Sequence, residues 1–215
     1  MASTRPIVKV AAVQAAPVSF DLEKSLQKLS KLTEEAAAAG ADLVVFPITG
    51  NLLLWLLLIE HREAFLSAYP WRYAFDVTIG AREPRGSRQD TATTKGRQWF
   101  AKYLDSAVEV PSPAFERLSE TARANNVLLQ VGIIEKAGGT LYCTALLLDR
   151  EGKMVYKHRK VMPPPTTSVL IPTAGERLVW GRGSGDGLQV SQTDVGRVGS
   201  LIWLVNPRCR RAAQC

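Results

Sequence analysis

Gly40-Ala41-Asp42-Leu43-Val44-Val45-Phe46-Pro47 is the stretch on which the fold turns. Four apolar residues between a glycine turn and a proline read as a short strand buried on both faces. Upstream, Leu22, Leu26, Leu29, Leu32 and Ala36 follow helical spacing, with Asp21 placed to cap their start and Gly40 to end them. Before that helix, Ile7 to Ala12 reads as another strand, and Pro17 closes the extended segment. Strand, helix, strand in this order requires a crossover connection. The fold class is therefore α/β, or a layered α+β arrangement.

Downstream the order repeats. Pro113 to Ala124 carries Phe115, Leu118 and Ala122 at helical spacing, and Val127 to Ile134 is an apolar strand. Leu141 to Leu148 and Met154 to His158, separated by Asp149 to Gly152, read as a hairpin pair, and Val195 to Leu204 as a later strand. Three stretches fit this layout poorly: the leucine-rich 48–62, the polar 87–96 and the Pro/Thr-rich 164–172. None is repetitive or reads as a linker, so one domain is expected.

Composition excludes several classes of function. With 46% hydrophobic and 22% charged residues, the chain has the make-up of a globular protein with a real core. The apolar run Leu52 to Ile59 falls far short of the roughly 20 residues of a membrane helix. Met1 to Ala16 lacks the uninterrupted apolar centre of a secretory signal, so a cytoplasmic protein is expected. Three cysteines and two distant histidines support neither a disulfide framework nor a metal site. The net charge of +7 is spread along the chain without interleaved aromatic residues, which argues against a nucleic-acid platform.

Val8 to Pro17, Gly40 to Pro47, Lys157-His158-Arg159-Lys160-Val161-Met162-Pro163 and Gly196-Arg197-Val198-Gly199-Ser200-Leu201-Ile202 together resemble the nitrilase branch of the carbon–nitrogen hydrolases. The resemblance covers most of the chain outside the three ill-fitting stretches. It implies the family's four-layer α-β-β-α sandwich, present in part over residues 1–206, with insertions at 48–62, 87–96 and 164–172. Omitting 48–62 joins Phe46-Pro47 to Glu63, omitting 87–96 joins Gly86 to Arg97, and omitting 164–172 joins Pro163 to Thr173-Ala174-Gly175-Glu176. Each junction restores the family pattern, as retained introns or an unusual splice form would require.

The resemblance also assigns chemistry. The family cleaves carbon–nitrogen bonds by attack of a cysteine thiolate on a nitrile or amide carbon, through a covalent intermediate that water releases. Matched residue by residue, Glu63 is the general base, Lys160 stabilises the developing negative charge, and Glu176 positions substrate and lysine. No metal or organic cofactor is implied. The implied partner is a small nitrile or amide substrate, and a homo-oligomer is allowed because the family assembles into dimers and larger spirals.

The departure is at the nucleophile. After Ile202 the pattern calls for cysteine, and Trp203 stands there, followed by Leu204, Val205 and Asn206. The basic tail 207–215 has no counterpart in the family and reads as a shifted frame or an alternative terminal exon. The alternative to an enzyme is thus a catalytically dead relative that acts by associating with full-length homologues; an incompletely built, aggregation-prone chain is a third reading.

Taken alone, Glu63 and Glu176 are surface carboxylates and Lys160 part of a solvated basic patch. Cys143, between Tyr142 and Thr144, reads as a buried structural thiol. Cys209 has flanking arginines that favour its thiolate, but a terminal tail does not hold attack geometry. Gly181 to Gly187 lacks the Lys-Ser/Thr end of a phosphate loop and reads as a mobile loop.

Overall fold

The computed structural model describes residues 7–15, 17–18, 20–46, 104–161, 180–200 and 202. The expectations for 48–62, 87–96, 164–172, Glu63, Glu176, Trp203 and the tail 207–215 fall outside the described residues.

The architecture is α/β. Strand β1 (Val10–Ala12) leads through helix α1 (Leu22–Ala38) to β2 (Leu43–Phe46). Helix α2 (Pro113–Asn125) precedes β3 (Leu128–Ala137), β4 (Thr140–Leu148) and β5 (Met154–Arg159). These strands form one mixed sheet in the order β1-β2-β3-β4-β5, parallel across the first three and antiparallel from β3 onward. A short 3₁₀ turn at Gly185–Gly187 leads to a separate hairpin, β6 (Val190–Thr193) and β7 (Gly196–Gly199). The strand expected over Val195 to Leu204 is thus shorter, and its partner β6 carried no apolar alternation by which to recognise it.

Both helices begin where their sequences provide caps. Asp21 accepts a hydrogen bond from the Lys24 amide at 2.9 Å, and Ser112 accepts one from the Phe115 amide at 3.2 Å, with Pro113 following. Helix α1 has Ala39 as its C-cap, and Gly40, the expected terminator, follows it with a positive φ of 85° as the chain turns toward β2. Arg117 of α2 pairs with Glu23 of α1, joining the two helices at their exposed edge.

The helices cover one face of the sheet. Leu26 of α1, Leu118 and Ala122 of α2, and Val44, Phe46, Leu129, Val131, Ile133, Leu146 and Leu148 of the strands make a continuous apolar core. The opposite face carries Leu128, Leu147 and Tyr156, against which Val195 and Val198 of the β6–β7 hairpin pack. One strand set is therefore sandwiched between a helical layer and a second, two-stranded sheet. Because both faces are covered, β3 shows no polar alternation along its first six residues, all buried.

Arg150, in the β4–β5 turn, ties the far end of this assembly together. Its guanidinium donates to Asp194 at 2.6 Å, to Asp42 at 3.2 Å and to the Asn126 carbonyl. The β6–β7 turn, the start of β2 and the end of α2 thus meet on one side chain.

Candidate active site

The sheet topology gathers strand exits at one edge. Two antiparallel steps make β5 parallel to β3, and hence to β1 and β2. The ends of β2 and β5 therefore leave the sheet on the same side, where α/β sheets place their ligands. Phe46, Val131, Leu146 and Lys157 lie in one cross-strand row, and Lys160 stands three residues further toward that edge. Three strand spacings, about 14 Å, separate the β2 and β5 axes.

Lys160 follows the last residue of β5 and is only 3% exposed. Its amide donates to the Cys143 carbonyl at 2.8 Å, extending the β4–β5 ladder by one rung. Its own carbonyl accepts from the Gly183 amide at 2.9 Å. The alternation of the ladder turns Lys160 away from the helices, to the face of Ala145 and His158. Cys143 lies directly across from it and is half-buried, more accessible than a sealed core thiol would be.

The glycine-rich segment expected to be a mobile loop is laid against β4 and β5. Trp180, 5% exposed, bridges to Leu141 and packs in a small apolar cluster with it, Ile134 and Cys143; the Gly181 amide donates to the Leu141 carbonyl at 2.8 Å. A side chain at Gly183 would put its Cβ 2.3 Å from the Arg159 carbonyl oxygen, and one at Gly181 would lie 2.6 Å from the Tyr142 ring. The absence of side chains is what lets this backbone lie on the strand. Composition had suggested freedom; contact with β5 gives the glycines a packing reason.

Nor is the Lys157 to Lys160 run a solvated patch. Lys157 and Arg159 both reach Glu135, a carboxylate 1% exposed on the helical face of β3. Arg159 grips it through Nε and Nη2, each at 2.7 Å; Lys157 Nζ donates at 2.8 Å and the Thr144 hydroxyl at 2.7 Å. Burial alone would push the Glu135 pKa up, but these hydrogen bonds outweigh it and hold the group at about 2. The Arg159 guanidinium also stacks 4.1 Å from the Tyr142 ring centroid.

On the other face, burial depresses the pKa of His158, partly offset by its contact with the Gly187 carbonyl at 3.1 Å. Tyr156 donates to Gln130 at 2.7 Å; burial raises its pKa, and hydrogen bonds with Ser200 and Gln130 temper the rise. Ser200 continues the Gly196–Gly199 strand. The Gly196–Gly199 strand that precedes it lies over the sheet face of Leu147 and Tyr156, which is also the face of Lys160.

Of the three candidate residues named from sequence, Lys160 is thus placed in a buried setting at the exit edge, while Glu63 and Glu176 lie outside the described residues. Trp180 anchors the chain four residues after Glu176. Sequence reasoning missed Glu135. Its signal was a lone acid closing an apolar strand, matched by two cations spaced two apart, hence on one face, in a later strand.

A parallel β-α-β unit continued by an antiparallel meander, with Lys160 buried where the strands exit, is what the described residues place at this edge. Residues 9–203 match the family model for carbon-nitrogen hydrolases, and the chain belongs to that family. It is 38% identical over 200 residues to a bifunctional nitrilase/nitrile hydratase of Nicotiana tabacum, covering 93% of this chain and 48% of that protein. It is 40% identical over 194 residues to an aliphatic nitrilase of Sinorhizobium fredii, covering 90% and 52%. The chain thus spans about half the length of these relatives. Among solved structures, the fold is similar to the NitFhit protein of C. elegans (TM-score 0.58, 16% identity, 91% of this chain and 38% of that one). It is also similar to a carbon-nitrogen hydrolase from Helicobacter pylori (TM-score 0.55, 18% identity, 90% and 51%).

Among the described residues no helix is long and apolar enough to cross a membrane, and no cluster of three His, Cys, Asp or Glu residues could hold a metal.

Proposed function

We propose that residues 1–206 carry the first part of a nitrilase-type hydrolase built for small nitriles or amides, in which Glu63 is the general base, Lys160 the charge-stabilising group and Glu176 a positioning carboxylate. Lys160 carries the reading, being a cation withdrawn from water at the strand-exit edge, on the face crossed by the Gly196–Gly199 segment. A buried ammonium is worth more to a developing oxyanion or imide anion than a solvated one, because little water competes with it. The nitrilases of Nicotiana and Sinorhizobium are what this portion resembles in sequence.

In the sequence pattern of the resemblance, Trp203 stands where the cysteine is called for, and an indole has no nucleophilic lone pair to offer. The chain as written is therefore proposed to be inactive. Purified protein should release no ammonia from aliphatic or aromatic nitriles or from amides. Turnover that persists after Cys209→Ser and Cys215→Ser would sink this mechanism, since it would need a nucleophile elsewhere. Sequencing the mature transcript bears on the same point: a message joining Pro47 to Glu63 and restoring a cysteine after Ile202 would define an ordinary cytoplasmic nitrilase.

Trp203 also favours a second reading, a dead relative that works by associating with full-length homologues or with copies of itself. Co-expression with an active nitrilase, followed by sizing of the purified complex, tests it. Elution of the two chains apart would remove it.

A further inference from the structure

Glu135 is a buried carboxylate for which the proposed reaction has no direct use. It sits on the helical face of the sheet, whereas Lys160 belongs to the opposite face, so it cannot act on a substrate bound beside the lysine. Its donors nevertheless converge on the strand that carries Lys160. Three of its four hydrogen bonds come from Lys157 and Arg159, and Arg159 is the residue immediately before Lys160. The fourth comes from Thr144, the cross-strand partner of Arg159.

The local need for such a device is plain. Beyond Arg159 the ladder has a single further rung, Lys160 to Cys143, and strand ends with one hydrogen bond fray readily. A buried ion pair adds little to overall stability against an apolar replacement, yet it fixes the geometry of the groups it joins. Two cations on one acid also mean that removing the acid leaves Lys157 and Arg159 facing each other without compensation.

We infer that Glu135 is a positioning residue for Lys160: by gripping Arg159 and Lys157 from the opposite face it sets where the chain leaves β5 and so the direction in which the lysine enters the site. The inference rests on the reading of Lys160 as the charge-stabilising group. The backbone clamp of Gly183 on the Lys160 carbonyl completes the hold from the other side.

The test uses the full chain and reads the lysine itself. Acetic anhydride labelling of Lys160, followed by peptide mass spectrometry, is compared in the wild type, Glu135→Gln, Glu135→Asp and Leu129→Ala. The last removes core contacts in the same sheet without touching the network. Under conditions where all four are folded, Glu135→Gln should label Lys160 about ten-fold faster, the scale of losing a charged hydrogen-bond acceptor. Glu135→Asp, which keeps the charge, should recover much of the protection, and Leu129→Ala should leave it unchanged. Unaltered labelling in Glu135→Gln, or an equal rise in Leu129→Ala, overturns the inference. If Glu135→Gln does not fold, Thr144→Val removes one donor while leaving both cations paired; it should give a smaller rise, and no rise would be equally fatal. Labelling reports position whether or not the chain turns over. Failure of the catalytic reading would show instead in the ammonia assay.

Discussion

Glu135 keeps its charge at 1% exposure because Thr144, Lys157 and Arg159 replace the water it lost, and that substitution links stability to acidity. The unfolded chain takes up the proton near 4.5 and the folded one only near about 2. Stability conferred by the group is therefore complete above pH 4.5 and is lost as pH falls toward 2, by on the order of 3 kcal/mol over the whole window. Urea midpoints measured from pH 6 to pH 3 should fall steeply in the wild type. In Glu135→Gln they should start lower and change less, and parallel curves would remove Glu135 as the source. His158 adds a second, shallower slope: burial lowers its pKa from 6.5, so stability shrinks as pH falls below that value, and His158→Asn should flatten it. At this scale the sequence was only partly legible. Lys160 could be singled out by resemblance because its neighbours form a recognisable run, whereas a lone acid at the end of an apolar strand is a weak signal for Glu135, whose two cationic partners lie more than twenty residues away.

Glycines at two positions show how an element can depend on a missing side chain. Gly138 and Gly139 join β3 to β4 with φ of 55° and 76°, the two left-handed residues of a tight hairpin turn. Replacing both with alanine should cost roughly 1–2 kcal/mol for each strained residue, read as a lower thermal midpoint. Gly183→Ala acts differently, by collision with the Arg159 carbonyl, and should both expose Lys160 to labelling and lower the thermal midpoint as the backbone is forced off β5. Asp21→Ala removes the α1 cap and should cost about 1 kcal/mol. Helix α1 and strand β2 were readable because one shows a clean 3.6-residue period behind a capping aspartate and the other is bracketed by glycine and proline. The antiparallel pairing of β3 with β4 was not, since an apolar run covered on both faces does not say which neighbour it takes. Strand β6, Val-Ser-Gln-Thr with an exposed valine, offered no apolar stripe at all.

Among the described residues the main core lies between the two helices and one side of the sheet, and Leu118 of α2 is 1% exposed within it. Leu118→Ala should cost about 2–5 kcal/mol, measured by denaturant unfolding, and a smaller loss would mean that the helical layer collapses around the gap. The parallel crossover was visible in the sequence, whereas Glu63, Glu176 and the insertions fall outside the described residues. Strands β3, β4 and β5 form one uninterrupted run from Leu128 to Arg159, joined by short turns, while β2 reaches β3 only across a long stretch of chain. Local pairings close with little loss of chain entropy and so assemble early; parallel pairings between distant segments assemble late. Leu146→Ala should accordingly slow refolding, whereas Val44→Ala should chiefly speed unfolding. Omitting 48–62 and 87–96 would change the entropy of bringing β2 to β3 by only about 0.3 kcal/mol. The β3–β5 meander that carries Lys160 is thus expected to take shape first, before β2 has docked beside β3.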